Sequence, residues 1–196
     1  VEPESVGNKR HISVSHQSGR SNVLAQFESV GIDVDSEDPR INRLLDQVKE
    51  REYLGYSYDG AEASFELLAR RMLGQVPEYF TVNSFRVLIE RRYHAVGELV
   101  TVSEATAKVV VDGEQFISVG EGNGPINALD EALRKDLGKY QSYIDEIRLV
   151  DFKVRILTGG TEAVTRVLIE SADADGNRWF TVGVSPNIVD ASFQAL

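Results

Sequence analysis

Residues 120–133, GEGNGPINALDEAL, put three glycines and a proline directly ahead of a helical pattern. A turn of this kind presents unpaired backbone N–H groups at a helix N-terminus, where a negative group is favoured. Three explanations compete for it. A nucleotide phosphate fits poorly: Gly120, Gly122 and Gly124 give G-x-G-x-G, no Gly-Lys-Ser/Thr follows, and Glu121 would repel the phosphate. An amino-acid carboxylate fits better, since one negative charge gains about 0.3–1 kcal/mol at a helix N-terminus. Asn123 and Asn127 offer hydrogen bonds to carboxylate or ammonium, Glu121 offsets the ammonium, and Ile126 and Leu129 are placed to meet an aliphatic side chain. The third explanation involves no ligand: glycines simply allow a sharp strand-to-helix reversal. These residues alone leave the last two open.

Other polar residues offer less. His11, His16 and His94 form no HxH or HExxH pair, and cysteine is absent, so thiolate sites and disulfides are excluded and no catalytic metal site is expected. Carboxylates such as Glu104 and Asp112 fall near hairpin turns, where charges are solvated, so acid–base catalysis is not expected either. A net charge of −10 repels phosphates and argues against nucleic-acid or anionic-membrane partners. No apolar run approaches the ~20 residues of a membrane span. The opening VEPESVGNKRH lacks the order of a signal peptide. With no cysteine, the composition fits a reducing cytoplasm, the expected compartment.

The elements that must position the turn divide near Leu73–Pro77. Residues 1–76 read as a mostly helical subdomain. Asp38 is a natural N-cap with Pro39 behind it, and Ile41, Leu44, Leu45 and Val48 line one helical face. A second helix carries Phe65, Leu68 and Met72 and stops at Gly74. Two short amphipathic helices bury little alone, so they need a partner surface.

Residues 77–196 change period. FRVLIERRYHAV alternates like a strand, with Phe85, Val87 and Ile89 on one face. ATAKVVVDGEQFISVG reads as a hairpin turning at Asp112–Gly113, and the helix after Pro125 packs through Ala128, Leu129, Ala132 and Leu133. The order then repeats: FKVRIL echoes FRVLIE, and TRVLIESADADGNRWFTVG echoes the hairpin. From Asp112 to Leu133 a shift of 63 residues needs no gap, matching Gly120 with Gly183 and Ala128 with Ala191. The expected fold is α+β: a helical linker, then a duplicated βββα unit with pseudo-two-fold symmetry, its copies about 84–138 and 151–196. Each sheet buries one face and leaves the other needing cover, so a symmetric dimer is the natural completion.

Several long motifs, in order, resemble the alpha-isopropylmalate synthase family. GEGNGPINALDEALRK, DFKVRIL…GGTEAVTRVLIES and WFTVGVSPNIVDASFQAL are similar to its regulatory domain, in the citramalate-forming branch. VGNKRHISVSHQSGRSNV and GYSYDGAEASFELLARRMLG resemble the linker after the catalytic barrel, so the likeness spans the chain. The resemblance implies a parent enzyme that condenses acetyl-CoA with pyruvate, on the route to isoleucine, using a divalent metal on a TIM barrel. That barrel is not expected in this chain, which would then hold no catalytic residue and no cofactor.

The resemblance also implies a homodimer that binds the end product, isoleucine, at its interface, or leucine if the branch is the other one. Carried across, the effector residues are Gly122, Asn123, Gly124, Pro125, Ile126 and Ala128 in the first copy. In the second they are Pro186, Asn187, Ile188 and Ala191, where Ser185 and Pro186 stand in place of glycines. Ser18, Gly19 and Arg20 are the expected linker residues coupling effector to barrel. A dimerisation module without effector is the alternative.

Overall fold

The computed structural model describes residues 20–135, 137–160 and 163–196. Three helices come first: α1 (Arg20–Ser29), α2 (Pro39–Tyr53) and α3 (Glu62–Met72). α2 begins as its sequence dictates, with the Asp38 carboxylate accepting the Arg40 N–H at 2.8 Å and Ile41, Leu44 and Val48 buried. α3 buries Phe65, Leu68 and Ala69 and ends at Gly74, which adopts φ +69°. α1 is not among the helices expected from the sequence. It buries Val23 and Phe27, one turn apart, but has almost no apolar stripe otherwise.

Two antiparallel sheets follow, in strand orders β1-β2-β3 and β4-β5-β6. The first comprises β1 (Thr81–Tyr93), β2 (Leu99–Val111) and β3 (Glu114–Gly122), and α4 (Pro125–Arg134) returns across it. A 3₁₀ turn (Gly138–Tyr140) and the short α5 (Gln141–Asp145) lead to β4 (Arg148–Ile156), β5 (Thr165–Ala172), β6 (Arg178–Ser185) and α6 (Ile188–Ala195). This is the expected α+β duplication. The Asp112–Gly113 turn has positive φ at both residues, as a two-residue hairpin requires. In the second copy, Asp173 and Asn177 close a longer loop through bonds of 2.8–2.9 Å. The 63-residue spacing therefore holds between β3 and β6 but is one shorter between β2 and β5: Gly120 and Gly183 pair with Ala105 and Val167.

Each helix lies on the face carrying the alternate buried residues: Ala105, Ala107 and Val109 under α4, Val167 and Ile169 under α6. The copies touch through α4 and α6, and Phe85 of β1 packs at a tilt against Phe193 of α6 with centroids 4.8 Å apart. On the opposite face the two sheets differ. Leu168, Val182 and Val184 of the second sheet join one core with Phe27, Leu44, Tyr58 and Phe65 of the linker helices. The helices' missing partner surface is thus the back of the second sheet. Thr106, Val119 and Glu121 hold the matching places in the first sheet, whose back has no such cover among the described residues.

Candidate functional site

The two strand-to-helix turns are built by the same device. A Cβ on Gly120 would collide with the Ala132 nitrogen and sit 2.5 Å from the Ala128 carbonyl oxygen. A Cβ on Gly183 would collide with the Ala191 carbonyl oxygen. Neither glycine has positive φ. They are needed for close helix-on-sheet approach, which also explains why Ala128 and Ala191 are fully buried against them. Gly122 is likewise crowded: a Cβ there would lie 2.5 Å from Asn127 Oδ1 and 2.6 Å from the Ala128 nitrogen.

Gly124 differs. It is the N-cap of α4 in an extended conformation open to any residue (φ −161°, ψ 168°), and nothing lies within 4 Å of its Cβ direction. It gives the helix no side-chain cap, and Pro125 contributes no N–H. Ala128 N–H bonds the Gly124 carbonyl, while Asn127 folds back to accept the Asn123 N–H at 3.2 Å. The N–H groups of Ile126 and Asn127 are left facing out of the first turn without intrahelical acceptors. In the second copy the same two positions are filled. Asn187 Oδ1 accepts from Val189 N–H at 2.9 Å and Asp190 N–H at 3.4 Å, and Ser185 Oγ accepts the Asn187 N–H. One turn is open to an anion and the other is closed by its own side chain.

The open turn borders a cleft of about 640 Å³ between the copies, lined by Ile126, Asn127 and Asp130 of α4, Ile144 of α5, and Leu149 and Phe152 of β4. Arg134 holds one wall: it pairs with Asp130 at 2.7 Å and donates to the carbonyls of Ile144 and Ile147. Of the ten expected effector residues, Ile126 lines this cleft and Gly122–Pro125 lead into it. Ala128, buried beneath the turn, and Pro186, Asn187, Ile188 and Ala191 do not line it. Leu149, Phe152 and Ile144 carry no motif; only the echo of Phe85 in Phe152 singles out one of them.

Of the expected coupling residues, Ser18 and Gly19 lie outside the described residues, and Arg20 opens α1. The described contacts between linker and duplicated unit lie elsewhere. Arg166 Nε donates to the Gly55 carbonyl at 2.6 Å, Ser64 Oγ accepts the Val182 N–H at 2.9 Å, and Tyr56 Oη donates to Gln194 Oε1 at 2.5 Å. Burial, reinforced by nearby Arg155, holds the Arg166 guanidinium below its ordinary pKa. No group of three His, Cys, Asp or Glu able to hold a metal occurs among the described residues, and no described helix is long and apolar enough to cross a membrane.

Comparison with known proteins narrows the field. Residues 59–196 match the family described as the LeuA allosteric (dimerisation) domain. The whole chain is 50% identical to an (R)-citramalate synthase of Geobacter sulfurreducens and 45% identical to one of Aquifex aeolicus. It is 29% identical to a probable 2-isopropylmalate synthase of Methanopyrus kandleri. In each case the chain spans 37% of the relative's length.

Proposed function

This chain belongs to the LeuA allosteric (dimerisation) domain family, and on that footing we propose that it is the feedback-regulatory part of a citramalate synthase acting in isoleucine biosynthesis. The catalytic barrel and its divalent metal belong to the rest of such a protein, which works in the cytoplasm as a homodimer. The higher identity to citramalate synthases than to the probable 2-isopropylmalate synthase favours isoleucine over leucine as effector.

The observation that carries this reading is the open turn beside a cleft in which Ile126, Ile144, Leu149 and Phe152 form an apolar patch among charged side chains such as Glu131, Lys135 and Arg148. The effector carboxylate takes the N–H groups of Ile126 and Asn127, approaching over Gly122, Asn123 and Gly124, with the partial positive charge of the helix start behind them. Its branched side chain enters the cleft against Ile126, Leu149 and Phe152. Pro125 pre-sets the first helical turn, and Ala128 acts from below, fixing how deep that turn sits. In the second copy, Pro186, Asn187 and Ile188 form the pseudo-equivalent turn, with Ala191 beneath it. Asn187 already occupies the donors there, so that turn serves shape and not carboxylate binding.

Dimerisation is supported by apolar side chains left bare on the helix-bearing faces. Phe85-Val87-Ile89 and Phe152-Val154-Ile156 occupy the same face of the two outer strands. The phenylalanines are half-buried, but Ile89 is 55% and Ile156 66% exposed. A second copy laid across these strips removes that surface from water.

Calorimetric titration of the chain at about 0.1 mM or above tests the proposal. Isoleucine is expected to bind, and leucine and valine to bind at least about tenfold more weakly, the discrimination that one methyl position supplies. Heat with none of the three would overturn the effector assignment and leave a dimerisation module.

A further inference from the structure

The linker helices do not straddle the two copies evenly. Their core takes Leu168, Val182 and Val184 from the second sheet and Leu157 from the end of its first strand, and among the described residues none from the first copy. The Arg166–Gly55, Val182–Ser64 and Tyr56–Gln194 hydrogen bonds all join the linker to the second copy. Gln194 extends the connection to the start of α6, since its Nε2 donates to Asp190 at 3.0 Å while its Oε1 also accepts the Val184 N–H. Gly55 is seated tightly: its φ is +110°, and a Cβ there would lie 2.5 Å from Leu157 Cδ1.

Toward the first copy the linker shares no core residue among the described residues. A cavity of about 610 Å³ opens where α3 meets both copies: Leu67 and Arg71 of α3 face Phe80 and Leu133 toward the first copy and Trp179 and Phe193 of the second. The covalent link from α3 to β1 runs through Gly74 and an exposed stretch to Phe80.

We propose that the linker and the second copy form one rigid body, and that a ligand in the cleft between α4 and β4 sets the angle of this body against the first copy. The second half rests on the effector site proposed above. The cleft has one wall on α4 of the first copy and the other on β4 of the second. A molecule bound in it touches both bodies and favours the arrangement in which both walls make contact. The linker moves with the second copy because its core is part of that copy. Anything attached ahead of the linker receives the rotation through α2 and α3.

Because the chain has no cysteine, paired spin labels can be placed one pair at a time. Arg43→Cys on α2 is combined with Asp175→Cys in the second hairpin, or with Lys108→Cys on the first sheet; all three sites are exposed. Full chain carrying one pair is diluted into excess unlabelled chain, so that distances within one copy of the chain are read. Without ligand, the 43–175 distribution is expected to be narrow and the 43–108 distribution broader; equal widths would overturn the rigid-body assignment whether or not any effector binds. With saturating isoleucine, the 43–108 distance is expected to shift by about 2 Å or more while 43–175 stays put. Isoleucine that binds by calorimetry yet shifts 43–175 as much as 43–108, or neither, would overturn the proposed motion. Absence of binding in the same calorimeter would instead sink the effector site, together with the angle-setting that depends on it.

Discussion

Gly120 and Gly183 each let a helix rest directly on its sheet. In the sequence, three glycines before a helix leave ligand approach and a sharp reversal both open. In the fold, the first of them exists so that α4 can touch β3, and its echo does the same for α6. Gly183→Ala places a methyl against backbone and is expected to cost about 1–3 kcal/mol or more, measured by urea unfolding. Gly124→Ala, with open space around it, should cost far less. Tyr58 supplies the opposite sign. It is buried in the linker core, its hydroxyl makes no well-formed hydrogen bond, and burial pushes its pKa up, opposed by the Arg51 guanidinium close beside it. Tyr58→Phe removes an unsatisfied group and is expected to stabilise the chain by about 1 kcal/mol. A phenol whose pKa is raised on folding contributes fully below its unfolded pKa of about 10 and loses that contribution as pH climbs through the folded value. Wild-type stability should therefore fall above about pH 10 more steeply than that of Tyr58→Phe.

At the scale of elements, the two helix starts make a natural comparison. Both follow a strand, both rest on an alanine over a glycine, and they differ in who fills the first-turn donors. Gly124→Asn copies the second turn into the first. Its extended backbone and free space admit the side chain, so the fold should hold or gain slightly. Isoleucine affinity should drop about tenfold or more, because the new carboxamide competes for the same N–H groups. Unchanged affinity would move the carboxylate elsewhere. Much of this level is legible in the sequence. Asp112–Gly113, the alternation of β1 and the Ala-Leu face of α4 identify the βββα unit and its repeat, because each signal is local. α1 is not legible, since its burial rests on Val23 and Phe27 while most of its remaining residues are polar. The cleft-lining Ile144, on a five-residue helix, and Leu149 carry no local signal because their role arises only when the copies meet.

For the whole molecule, the uneven polarity of the two sheets is the informative feature. Leu168 and Val184 in one copy answer to Thr106 and Glu121 in the other. That difference is present in the sequence and marks the second sheet as the one covered from behind by the linker helices. It becomes readable only after the register is known. The exposed isoleucines belong to a larger assembly still. Ile89→Asp and Ile156→Asp each place a charge in the proposed interface and are expected to shift the chain from dimer to monomer in sedimentation equilibrium, with unchanged secondary structure. A dimer indifferent to both would place its contact on another face.

The central claim is that one turn of the duplicated pair, and not the other, receives the effector carboxylate beside the inter-copy cleft. Backbone amide resonances report this directly when an isotope-labelled chain is titrated with isoleucine. The amides of Ile126 and Asn127 should shift strongly and saturably, with Leu149 and Phe152 following, while those of Val189 and Asp190, held by Asn187, stay close to their starting positions. Shifts centred on Val189 and Asp190, or none at Ile126 and Asn127 up to about 10 mM isoleucine, would contradict it.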